Sequence, residues 1–337
     1  MNKGVERDSS AYSRTGKILR PLRFQGSVNL LFAILLRVFI NSSMSKAIGW
    51  IGTGVMGASM AGHLLDAGYD LRVHNRTKDK ALSLMQQGAI WCESAADAAE
   101  GADVVFSIVG FPQDVEETFL GERGILSTAK NGSVVIDMTT SEPSLAERIY
   151  ETAKEKGVRA LDAPVSGGDL GARNATLSIM VGGDEESFQQ TKPLLEVMGE
   201  NISWFGPAGS GQRVKMSNQI LIATTMIGTV ESLLYAIRSG LEPNAVIDLI
   251  GSGAAGCWSI NNLGRRIVKG DYAPGFFIKH FVKDMSIALQ DSERLGLKLP
   301  GLALAKKFYD LAVEAGQGNE GTQALYKVFE SMSSVKN

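Results

Sequence analysis

The chain has 337 residues, 44% of them hydrophobic, and a formal net charge of −2. That length supports two domains with buried cores, and the balanced charge excludes a dominant basic surface for nucleic acid. Cys92 and Cys257 form no paired motif, as in a reducing compartment, and His63, His74 and His280 are scattered, so no metal site is expected.

Residues 1–28 are polar and basic, with Lys3, Arg7, Arg14, Lys17, Arg20 and Arg23, whereas residues 29–40 are apolar apart from Asn29 and Arg37. The apolar run is too short to span a bilayer, and no membrane association is expected. A targeting segment, a disordered or membrane-touching extension, and a reading frame over-extended ahead of Met44 are the three readings of residues 1–43, and Met44 as the functional start is favoured. The expected location is cytoplasmic, or an organellar matrix if residues 1–43 are a presequence.

Ile48-Gly49-Trp50-Ile51 reads as an apolar strand, followed by the turn Gly52-Thr53-Gly54-Val55-Met56-Gly57 and a helix-forming run. This order is what a dinucleotide pyrophosphate needs at the opening of a βαβ unit: Gly52 for the tight turn, Gly54 for close backbone approach, Gly57 for helix–strand packing. The phosphates then sit at the helix N-terminus, where free N–H groups and the helix dipole favour negative charge. Tyr69–His74 is the second strand. About 20 residues past the glycines, an acid would hold the ribose of NAD. Asn75, Arg76 and Thr77 stand there instead, offering a guanidinium and a hydroxyl to a 2′-phosphate, so NADP is expected, with NAD as the alternative.

Strand and helix patterns then alternate: a helix over Lys78–Gln87, a short strand at Ala89–Trp91, a helical turn at Ala95–Ala99, and a buried strand over Asp103–Val109. A helix follows at Val115–Leu120, a strand at Ser133–Met138, a helix at Pro143–Lys156, strands at Val158–Ala163 and Leu177–Gly182, and a helix at Asp184–Met198. Such alternation predicts a Rossmann-like, doubly wound, mainly parallel sheet over residues 44–206. From Gln212 to Ser239 there is one long helical pattern without proline, and the remainder shows helices without strands. Residues 207–337 therefore read as an all-helical domain for substrate and oligomerisation, making the chain an α/β protein with a helical C-terminal domain.

Two segments carry candidate chemistry. Asp162-Ala163-Pro164-Val165-Ser166-Gly167-Gly168 ends a strand with a hydroxyl and bare backbone amides, a concavity suited to a carboxylate. Gly209 through Gln219 opens the long helix, and Lys215, Asn218 and Gln219 share one of its faces. An ammonium beside amides is a proton donor with an orienting partner.

From Met44 onward the chain resembles the β-hydroxyacid dehydrogenase family, which includes 3-hydroxyisobutyrate dehydrogenase, tartronate semialdehyde reductase and the glyoxylate/succinic semialdehyde reductases. Four segments carry the resemblance: the glycine turn, Asp162–Gly168, Gly209–Gln219 and Phe276–Asp284. It implies a catalytic lysine at Lys215, an orienting amide at Asn218, and substrate binding by Ser166, Gly167, Gly168 and Gln219. It further implies cofactor or substrate contacts at Thr140 and Lys283, and a homodimer or homotetramer. Some members carry the catalytic asparagine four residues after the lysine, where this chain has Gln219, so which amide touches substrate stays open. The implied reaction interconverts a short 3-hydroxy acid and its semialdehyde by hydride transfer, with Lys215 as acid and base. The alternatives are a 6-phosphogluconate dehydrogenase-like enzyme, an imine reductase, whose relatives commonly lack the lysine, and a non-catalytic NADP-binding protein.

Overall fold

The computed structural model describes residues 46–334. The expectations for residues 1–43 lie outside the described residues. The first half is organised by β1 (Ile48–Ile51), β2 (Leu71–His74), β3 (Ile90–Trp91), β4 (Val104–Ser107), β5 (Val134–Asp137) and β6 (Arg159–Asp162), in the spatial order β3-β2-β1-β4-β5-β6. All of these neighbours pair in parallel. Alternate residues feed opposite faces: Val104 and Phe106 join one core, Val105 the other, and Val134 and Ile136 are likewise opposed to Val135. Both faces are covered by helices, so the central strands are apolar throughout rather than alternating.

Those helices are α1 (Val55–Asp66), α2 (Leu82–Gln86), α3 (Ala95–Ala99), α4 (Pro112–Leu120) and α5 (Pro143–Glu155). The single helix expected over Lys78–Gln87 is a 3₁₀ turn, Lys78–Ala81, followed by α2. Past β6 come β7 (Val165–Ser166), α6 (Gly168–Asn174), β8 (Leu177–Gly183), α7 (Glu185–Leu195) and β9 (Gly199–Trp204). Neither β7, α6 nor β9 stands out in the sequence pattern. The sheet is mixed at this edge, where β8 runs antiparallel to β6 and β7 and parallel to β9.

The second half is built on α8 (Ser210–Arg238), with α9 (Pro243–Ile250), a π-helical turn at Ser259–Gly264, α10 (Arg265–Val268), α11 (Ile278–Arg294), α12 (Pro300–Glu314) and α13 (Leu325–Ser334). By length and composition α8 is long and apolar enough to cross a membrane. Its residues Met216, Ala223, Met226, Val230 and Leu233 are instead buried in a core shared with Ile278, Phe281, Met285 and Tyr309. Between described residues of this half, one isolated β-bridge joins Phe277 and Gly321.

Candidate active site

The glycine turn follows β1 directly. Gly52 has φ +98°, and a Cβ there would lie 2.0 Å from the carbonyl oxygen of Ile108. A Cβ at Gly57 would lie 2.2 Å from the oxygen of Gly52, so these two glycines are required by the protein's own packing. Gly54 differs, because a Cβ there meets nothing within 4 Å. It caps α1, whose first turn has no acidic residue and no side-chain cap, leaving amide donors unengaged by side chains. Thr53 is buried, with a hydroxyl that has no partner, Val55 is exposed, and Met56 packs against the first core. Open space beside one glycine, an orphan hydroxyl and a bare helix N-terminus fit a dinucleotide pyrophosphate.

Asn75, at the position that would carry the acid, accepts the Thr53 N–H at 3.0 Å through Oδ1 and donates to the Thr77 carbonyl at 2.8 Å. It braces the glycine turn. Arg76 is 88% exposed in its side chain and stands 3.3 Å from Asp114, whose other oxygen accepts the Phe111 N–H at the start of α4. An ion pair this exposed holds the guanidinium by no more than about 1 kcal/mol.

The joint between the halves is built by a residue to which the sequence motifs assigned no role. A 29-residue helix beginning at Gly209 and Ser210 has no local side-chain cap, so its first N–H groups need partners from elsewhere. Asp162, at the end of β6, supplies them: Oδ1 accepts Gly209 N–H at 2.7 Å and Oδ2 accepts Gln212 N–H at 2.8 Å. Burial pushes its carboxyl up to about 6 against the pull of those amides. Gly182 and Gly211 let the backbones meet, since a Cβ at Gly211 would lie 2.3 Å from the Met180 oxygen. Arg213 ties the joint outward, with Nη2 2.8 Å from Glu147 on α5 and Nε 3.5 Å from Asp291 on α11. The cue available in sequence was the missing N-cap of so long a helix.

One turn further along α8, Lys215 is buried. Burial lowers its ammonium to about 8; the Lys283 charge pushes the same way and Asp284 opposes. Lys283 donates to the carbonyl of Thr140 and lies 3.0 Å from Asp284 Oδ1. Gln219 donates to Asp284 through Nε2 and accepts from Asn218 Nδ2 at 2.8 Å through Oε1. Lys215, Asn218, Gln219, Lys283 and Thr140 are thereby brought into one cluster spanning α8, α11 and the end of β5, in which Gln219 is the link between Asn218 and the buried Asp284. Asp137, the last residue of β5, is also fully enclosed, and burial raises its carboxyl to about 7 against the pull of its Thr139 contacts. Ser166 ends β7, while Gly167 and Gly168 turn through φ +132° and +62° into α6. A Cβ at Gly168 would lie 3.3 Å from the Gly275 oxygen, so the helical half reaches this loop.

These parts define an NAD(P)-binding oxidoreductase with a Rossmann-like half and a helical half. Residues 47–206 match the family model of the NAD binding domain of 6-phosphogluconate dehydrogenase, and residues 209–329 match the model described as NAD-binding of NADP-dependent 3-hydroxyisobutyrate dehydrogenase. The chain belongs to the β-hydroxyacid dehydrogenase family. It is 54% identical over 286 residues to the uncharacterized oxidoreductase YkwC of Bacillus subtilis, covering 85% of this chain and 99% of that one. It is 50% identical over 289 residues to the probable 3-hydroxyisobutyrate dehydrogenase-like 1, mitochondrial, of Arabidopsis thaliana, covering 86% of each. Among solved structures, Mycobacterium tuberculosis 3-hydroxyisobutyrate dehydrogenase with L-serine superposes with a TM-score of 0.78 at 29% identity, covering 85% of this chain and 99% of that one.

Proposed function

We propose that this protein interconverts a short 3-hydroxy acid and its semialdehyde with NADP(H), using Lys215 as the proton carrier. The observation that carries the reading is a lysine buried at the joint of the two halves, on the same helix face as Asn218 and Gln219, whose amine burial lowers to about 8 with Lys283 and Asp284 acting on its charge. An ordinary lysine is almost wholly protonated at neutral pH, whereas one near 8 is neutral in about a tenth of molecules at pH 7. The tuberculosis relative was solved with L-serine, itself a short 3-hydroxy acid, which supports the same substrate class here.

Ser166 Oγ and the N–H groups of Gly167 and Gly168 receive the carboxylate. Asn218 orients the hydroxyl-bearing carbon, held by Gln219 and, beyond it, Asp284. The glycine turn and its Thr53 hydroxyl would hold the pyrophosphate and Arg76 the 2′-phosphate, with Thr140 and Lys283 as further cofactor contacts. A bound nicotinamide supplies the hydride acceptor for oxidation and the hydride donor for reduction. In oxidation, neutral Lys215 Nζ takes the β-hydroxyl proton as the carbon–hydrogen bond breaks and the carbonyl forms. In reduction, the ammonium returns that proton to the nascent alkoxide.

The test is initial-rate assay of L-serine, 3-hydroxyisobutyrate and 3-hydroxypropionate with NADP+ and NAD+ in parallel. Turnover of at least one acid is expected, and its absence with all three under both cofactors overturns the reaction assignment. Removing Arg76 as Arg76→Ala should raise KM for NADP+ roughly tenfold, the worth of one charge-assisted hydrogen bond, while sparing KM for NAD+. Equal effects on both cofactors would remove Arg76 from the 2′-phosphate site.

A further inference from the structure

The geometry points to Gln212 as a positioning residue that sets the two lysines of the site in register, by fastening the loop that holds Lys283 to the first turn of the helix that carries Lys215. Gln212 has no exposed surface. Its Nε2 donates to the Thr139 carbonyl at 2.8 Å and its Oε1 accepts the Ser141 N–H at 2.9 Å, so the carboxamide brackets Thr140 from both sides. The Thr140 carbonyl between those two points accepts from Lys283. The backbone of Gln212 is itself fixed by Asp162, and Lys215 follows three residues later in the same helix. One side chain therefore joins the end of β5, the N-terminus of α8 and, through Thr140, the ammonium on α11.

Any buried carboxamide needs hydrogen-bond partners, so the informative point is which ones this glutamine takes. Here both amide atoms are spent on the two residues flanking the one that grips Lys283, and the loop is further held by Thr139, whose Oγ1 accepts the Val109 N–H at 2.9 Å. The charged groups acting on Lys215 are Lys283 and Asp284, both from α11. Lys283 in turn acts on Asp137 from β5, which Asp162 also faces, and on His280 one turn earlier on α11, which Lys279, Asp284 and Asp114 also face. Releasing the Thr139–Ser141 loop lets Lys283 move away from Lys215, removing one of the two influences that favour the neutral amine. The inference rests on Lys215 as proton carrier for its consequence in turnover, but its geometry is testable without turnover.

The experiment is an NMR titration of the full chain carrying ¹³C-lysine, with the Lys215 Cε signal identified by its loss in Lys215→Met. In Gln212→Met, which keeps the volume and removes both hydrogen bonds, the Lys215 midpoint should move upward. Lys283→Met should do the same, and the double variant should move no further than either single one. Gln212→Leu, which removes both hydrogen bonds without introducing a charge, serves if Gln212→Met does not fold, and should give an upward movement as well. A lowered Tm with an unmoved midpoint, or movements that add in the double variant, would overturn the proposal and leave Gln212 a packing residue. Lack of turnover with every hydroxy acid would strike the functional reading while leaving the titration result to stand by itself.

Discussion

Replacement of Lys215 by alanine should lower kcat by about 10³-fold in both directions, within the range of general acid–base catalysis, while leaving the cofactor Kd within about twofold of its original value. The side chain is buried, so part of any damage would be lost volume; Lys215→Met fills that volume and should be equally inactive. Stopped-flow turnover paired with fluorescence titration of NADPH separates the two effects. In the parent protein the pH dependence carries the same signature. As the proposed base for oxidation the amine has to be neutral, which it is above its midpoint, so the oxidative rate should climb as pH rises toward about 8 and then level. As the proposed acid for reduction the ammonium is present below that midpoint, so the reductive rate should hold at low pH and fall as pH passes about 8. A limb near the ordinary lysine value of about 10.4 would mean that burial does not tune this group. A Lys215→Met protein with near-normal kcat would remove it from the chemistry.

The second large effect distinguishes two glycines that look equivalent in the motif. At Gly54 the backbone is extended, with φ −71° and ψ −167°, and an added methyl group meets no protein atom. Gly54→Ala should leave the apo Tm unchanged or slightly raised, because the unfolded chain loses freedom. It should weaken dinucleotide binding by about 100-fold, since the methyl occupies the approach of the pyrophosphate to the backbone. At Gly52 a methyl faces the Ile108 carbonyl in a left-handed backbone. Gly52→Ala should cost on the order of 4 kcal/mol, combining backbone strain with overpacking, and lower Tm by roughly 10 °C. Calorimetry of the apo proteins and NADPH titration give both readouts. Normal affinity in Gly54→Ala would place the cofactor away from this turn.

Local periodicity carried the parts of the fold that were legible in sequence. β1, β4 and β5 are short apolar runs bounded by turns, and α8 is a long pattern without proline, so each is marked by its own residues. The elements that escaped have weak local signals: β7 is two residues long, α6 contains Gly168 and Gly171, and β9 is mostly exposed and polar. The site divides the same way. Lys215, Asn218 and Gln219 could be grouped because helical spacing puts them together. The remote partners could not be, since Asp162 reaches Gly209 across 47 positions and Gln219 reaches Asp284 across 65. Asn75 is an intermediate case. Its spacing pointed toward the ribose, and the folded chain adds a bracing role for its carboxamide between Thr53 and Thr77 that spacing does not reveal.

The carboxylate of Asp162 belongs to one half of the molecule and the helix it caps to the other. A helical half taken from a relative to change substrate preference would inherit a long helix whose first amides are completed only by the host's β6. The exchangeable unit is therefore not bounded by the connection after β9. Asp162, Gly182, Gly211 and Gln212 form a joint that has to be transplanted or retained as a matched set, and a chimera that mixes its two sides would lose the alignment of Lys215 before any pocket residue came into play.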